Sequence, residues 1–119
     1  MMHGQLLRET DQQCLLPKTV MTSNSWEKLR GLLARKPLQT GEAMIIAACA
    51  AVHTIGMRYA LDLIFLDKHW RILKIAVAVK PWRIAACPGA AMTVETLAGS
   101  LERWDLITGE QLIWKKQGS

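Results

Sequence analysis

The chain has 119 residues, of which half are hydrophobic and 21% charged. That composition excludes a disordered chain and supplies enough apolar side chains for one modest core. The net charge is +5, but Arg35-Lys36 and Lys115-Lys116 are the only adjacent basic pairs; without a basic run, nucleic acid is not an expected partner.

Residues 1–14 show no periodicity and carry Glu9 and Asp11 where a secretory signal needs an apolar core. They are expected to be a mobile segment ahead of a single globular domain over 15–116. The stretch "LLPKTVMTS" (15–23) predicts a strand, with Pro17 pushing it to an edge or to its start. The stretch "NSWEKLRGLLARKP" (24–37) predicts the longer helix. Trp26, Leu29, Leu32 and Leu33 recur at helical spacing, Asn24 and Glu27 resemble a capping box, and Pro37 ends it. The pattern then turns to strands: "EAMIIAA" (42–48), "VHTIGM" (52–57) and "LDLIFLD" (61–67). A hairpin connection through "DKHW" (67–70) leads to the alternating "WRILKIAVAVK" (70–80), which Pro81 stops. The stretch "AMTVETL" (91–97) is another strand, "AGSLERWDL" (98–106) fits a short helix, and "ITGEQLIW" (107–114) turns at Gly109 into a last strand.

The short links favour antiparallel pairing, and the two apolar faces of 61–67 favour a closed or wrapped sheet. The expected fold is α+β: a small, curved, barrel-like and mainly antiparallel sheet with one longer and one short helix.

Several of these stretches together resemble a known family. "RGLLAR" (30–35), "AMII" (43–46), "VHTIGMRYALDLIFLD" (52–67), "KPWRIAAC" (80–87) and "TVETLAGSLERWDLITGEQLIW" (93–114) are similar to domain of unknown function family 192, small proteins of bacteria and archaea. The chain departs at Ala60, where relatives commonly have proline. The resemblance implies a compact, mainly β fold with helices on it, and it implies no activity.

Three cysteines, Cys14, Cys49 and Cys87, are widely spaced and odd in number. No Cys-x-x-Cys pair occurs, so neither a disulfide framework nor a four-cysteine zinc site is indicated. The longest apolar run, "AMIIAACAAV", is too short to span a bilayer. A reduced, cytoplasmic protein without membrane contact is the expectation.

Candidate chemistry centres on the polar residues set into apolar stretches. Cys49, His53 and Met57 are spaced by four and are residues that a soft metal accepts, but Met and Cys are also ordinary core fillers. No metal or cofactor is therefore assigned. Asp62 stands inside a strand that otherwise reads as core, so it needs donors: an arginine, His53 or backbone amides. Trp82 and Arg83 follow Pro81 out of the ladder, and tryptophan and arginine are enriched at interface hot spots. The leading reading is a noncatalytic binding or accessory domain. It would recognise a small, anionic ligand or a partner protein at a patch of His53, Thr54, Asp62, Trp82 and Arg83. The alternative is a small hydrolase-like enzyme pairing the thiol of Cys49 or Cys87 with His53.

Overall fold

A computed structural model describes residues 2–22, 38–47, 50–54 and 57–118, apart from the side chains of Thr22 and His53. Among them the chain forms nine strands: β1 (Met2–Arg8), β2 (Cys14–Thr22), β3 (Glu42–Ala47), β4 (Ala51–His53), β5 (Leu61–Leu66), β6 (Ile72–Val79), β7 (Ile84–Ala86), β8 (Met92–Leu97) and β9 (Leu112–Lys116). Seven of them make one sheet in the order β6-β5-β8-β3-β2-β1-β9, while β4 and β7 form a separate two-stranded ribbon. Neighbours in the large sheet run antiparallel except β2 and β3, which are parallel.

The sheet curls until its two outermost strands meet at one corner. Arg71, just before β6, bridges to Gln111, just before β9. Ile72 N–H donates to Glu110 O, and Leu112 N–H donates to Trp70 O. Trp70 and Trp114 stack across this seam with parallel rings and centroids 6.2 Å apart. Beyond the corner the strands diverge, so the sheet is a half-barrel. Its concave side holds the larger core, including Leu6, Leu16, Ile45, Ile64, Leu66, Ile72, Val94 and Leu112. A second cluster lies on the other face, where Met44, Ile46, Leu61, Leu63 and Phe65 pack with Val52 of β4 and Ala85 of β7. Because side chains alternate along a strand, β5 feeds both cores, which is why "LDLIFL" is apolar on both faces and buried throughout.

Several sequence expectations need correction. The described residues are nearly all β, so the α+β class with a longer and a short helix gives way to a curled all-β half-barrel. The longer helix expected over 24–37 lies outside the described residues. In place of the short helix over 98–106 there is a turn and a single 3-10 turn, Glu102–Trp104. Gly99 (φ 95°) and Asp105 (φ 48°) adopt left-handed conformations on either side of it. That leaves too few residues to nucleate an α-helix. Residues 2–8, expected to be mobile, form β1, which is hydrogen-bonded to a strand on each side. Pro17 does not place β2 at an edge. It sits where the β1–β2 register shifts between Leu6↔Leu16 and Gly4↔Thr19, an irregularity that tolerates a missing donor.

The expected alternation along 70–80 is also broken. Two register shifts in the β5–β6 pairing reset which side chains face the core. Ile72 and Ile75 therefore both serve the concave core, whereas Ala76 and Val79 both join the second cluster.

The β5–β6 hairpin turns as expected over 67–70. Asp67 Oδ1 accepts from the amides of Arg71 (3.0 Å) and His69 (2.8 Å). These bonds, with Arg71's first, hold the Asp67 carboxyl below its ordinary value. A folded-state value below the unfolded one means that the turn's contribution is complete above the ordinary carboxylate range. It is lost as pH falls through the lowered value. NMR titration of the Asp67 side-chain carbonyl should show this depressed midpoint, and Asp67→Asn should flatten the acid limb of the stability curve.

Candidate functional site

The chain leaves β6 at Lys80, turns through Pro81, Trp82 and Arg83, and returns along β7. Pro81 supplies no amide donor and cannot continue the ladder, so this turn must be held by other groups. Thr54, which follows β4 and is fully buried, holds it. The Thr54 hydroxyl donates to Lys80 O (2.7 Å) and accepts from Arg83 N–H (2.8 Å). The Thr54 backbone amide donates to Arg83 O (2.8 Å), and its carbonyl accepts from Trp82 N–H (3.1 Å). One threonine thus satisfies backbone groups of Lys80, Trp82 and Arg83, a hydrogen-bond demand that a turn leaves open.

Asp62 secures the root of the same turn. It is 2% exposed, on the concave side of β5. Its Oδ1 accepts from Ala78 N–H (2.8 Å), and its Oδ2 accepts from Gly99 N–H (2.9 Å) and Leu101 N–H (3.4 Å). Ala78 is the left-handed residue (φ 51°) where the β5–β6 register shifts. The carboxylate therefore captures an amide that the bulge frees from the ladder. It also ties β6 to the segment after β8. Among the described residues its partners are backbone amides, one of the three donor types expected.

The turn displays its side chains outward. Trp82 is 66% exposed with φ 65°, Ile84 is 75% exposed, and Val77 is 65% exposed. Lys80 and Arg83 are exposed as well, and among the described residues the Arg83 guanidinium donates to its neighbour's carbonyl, Trp82 O, at 3.3 Å. A bulky residue in the left-handed region costs about 1–2 kcal/mol, and such strain persists only where the surroundings over-determine it. The Thr54 bonds are that constraint.

The five residues singled out from sequence thus separate into braces and display. Thr54 and Asp62 are internal, and Trp82 and Arg83 are on the surface that they support. The backbone of His53 pairs with that of Ile84 in the β4–β7 ribbon, next to Thr54. Cys49 lies outside the described residues. Cys87 is half-buried, with its Sγ 4.0 Å from Pro88 O. Ile84 and Val77 were not singled out, because an apolar residue within a strand pattern reads as core.

Glu95 was missed for a different reason. It is completely buried on β8, between Leu63 of β5 and Met44 of β3. Burial pushes the Tyr59 phenol up, and the Glu95 carboxylate adds to that rise. An acid inside the stretch "AMTVETL" is the same signal that marked Asp62, and it was available in the sequence.

Among the described residues no group of three or more His, Cys, Asp or Glu side chains is placed to hold a metal ion. No helix among them is long and apolar enough to cross a membrane.

The family profile of DUF192, described as "Uncharacterized ACR", matches residues 7–114. The chain belongs to the DUF192 family. The match spans both braces and the displayed turn of this DUF192 protein. No curated protein matches it. Among solved structures it is similar to a "putative transcription regulator" from Sinorhizobium meliloti 1021, with TM-score 0.77 and 16% identity over 95% of this chain and 92% of that one. A protein of unknown function from Novosphingobium aromaticivorans DSM 12444 gives TM-score 0.74 and 20% identity over 94% and 84%. At these identities the likeness concerns the fold alone.

Proposed function

We propose that this DUF192 protein is a noncatalytic binding domain that presents the turn Lys80–Arg83, with Ile84 after it, to a partner protein. The observation that carries the reading is Trp82: a large aromatic side chain held in a strained backbone conformation and left mostly in solvent. Neither feature helps the fold. Together they give an anchor whose backbone is already fixed before docking. A raised turn suits a pocket on a partner better than it suits a small molecule. The thiol–histidine alternative draws no comparable support, since Cys87 has a carbonyl beside it and Cys49 lies outside the described residues.

Trp82→Gly tests the reading, because glycine adopts the left-handed conformation without penalty. The expected result is a urea midpoint that is unchanged or raised, by up to about 1 kcal/mol, together with loss of partner capture from native extract. Trp82→Ala should cost no more than the surface norm of about 0.5 kcal/mol. A loss of about 3 kcal/mol, typical of truncating a buried aromatic, would make Trp82 part of the core and end the proposal.

A further inference from the structure

Charge is unevenly spread along this chain. From Lys68 to Val94 there are five cationic side chains (Lys68, Arg71, Lys74, Lys80 and Arg83) and no aspartate or glutamate. That local surplus equals the formal net charge of the whole protein, +5, so the rest of the chain balances to zero. The stretch builds β6, the displayed turn and β7. Lys74 is occupied within it, donating its ammonium to Ala86 O at 2.9 Å. Lys80 and Arg83 form no ion pair among the described residues, whose salt bridges belong to Arg8. In sequence they bracket the strained tryptophan: cation, proline, tryptophan, cation.

Resting on the reading of this turn as a binding surface, we infer that its partner is a protein segment of acidic character carrying an apolar side chain. The apolar side chain meets Trp82 and Ile84, and the flanking carboxylates meet Lys80 and Arg83. Arginine suits this role because its planar fork matches a carboxylate with two donors. Side chains carry the recognition and not the β6 edge, since two register shifts in β6 spoil a flat template for strand addition. A protein segment fits better than the other polyanions. Trp82 is a single aromatic followed by the aliphatic Ile84, not the series of platforms on which successive bases stack. A bilayer surface, for its part, does not require an aromatic carried on a strained backbone.

The test uses the full chain with a photoreactive p-benzoylphenylalanine in place of Ile84, illuminated in extract of its native cells at low and at high salt. The cross-linked peptides are identified by mass spectrometry. The inference expects segments with a net negative charge, a yield that falls at least tenfold in Lys80→Glu/Arg83→Glu, and a marked fall at high salt. Lys115→Glu/Lys116→Glu is the control at equal charge change and should leave the yield within twofold. Urea melts of each variant confirm that it is folded. Neutral or basic segments whose capture still depends on Trp82 would overturn the acidic partner and leave the binding turn standing. Cross-linking that is indifferent to Trp82→Gly would overturn both. Trp82-dependent binding to phosphatidylserine vesicles or to a single-stranded oligonucleotide, without peptide capture, would overturn the protein segment in favour of that polyanion.

Discussion

Asp62→Ala should destabilise the protein by about 2–5 kcal/mol. The substitution leaves the amides of Ala78, Gly99 and Leu101 without their acceptor, and each buried orphan costs about 1–3 kcal/mol before relaxation. Water entering the site recovers part of the sum. Asp62→Asn should not rescue it. Both carboxylate oxygens accept, so either orientation of the amide directs N–H at N–H. Urea unfolding gives the magnitude, and hydrogen exchange gives the location. The amides of Ala78 and Gly99 should lose protection in Asp62→Asn well before those of Ile45 or Val94 do. A midpoint equal to that of the unsubstituted protein would show that the brace is dispensable.

Gly4→Ala comes next in expected size. A methyl group at Gly4 would lie 2.5 Å from Lys115 O and 2.6 Å from the Trp114 ring. Neither neighbour is free to retreat. Lys116 pairs with Gly4 in the β1–β9 ladder. The Trp114 indole N–H donates to the Thr19 hydroxyl (2.8 Å), which donates in turn to Gly4 O (2.7 Å). The ring is also stacked on Trp70. Overpacking of this kind costs about 3 kcal/mol, at the upper end of its usual range. The check is the thermal midpoint of Gly4→Ala together with its tryptophan emission, since displacing Trp114 changes its environment. Pairing Gly4→Ala with Trp114→Leu should recover much of the loss if the ring is the obstacle.

The sheet was legible wherever apolar residues form runs. β3, β5 and β8 fall within the stretches that their patterns predict, and β9 begins inside its stretch and runs on to Lys116, because strand periodicity follows directly from alternating side chains. The two apolar faces of β5 correctly pointed to a wrapped sheet. β1 escaped because it needs partners distant in sequence. Its residues "MHGQLLR" alternate poorly, and its ladder is completed by β9 at the far end of the chain. β6 was found but its faces were misassigned, since a bulge leaves no mark in a sequence that already tolerates either face. The α+β class failed in the same manner at 98–106. Gly99 and Asp105 both sit in left-handed backbone, and only the glycine announces that in its identity.

The site was half legible. Polar residues inside apolar strands drew attention to Thr54 and Asp62, and physical chemistry required that they have partners. It did not show that the partners were backbone amides and carbonyls of one turn. Trp82 and Arg83 were marked by the proline before them. What sequence could not supply was the direction in which Trp82 points, because a tryptophan that caps a core and one that projects from it have the same neighbours in the chain.

The place of β1 between β2 and β9 has a consequence for how the protein is made. The first strand emerges from the ribosome early and can pair at once with β2, but its other edge waits for residues 112–116. Through most of synthesis that edge, with Leu6 and Leu7 on it, is open to pairing with another nascent chain. The closing corner at Arg71 and Gln111 waits for the same late segment. Folding should therefore be limited by a contact between the two ends of the chain, a slow kind of closure for a domain of this size.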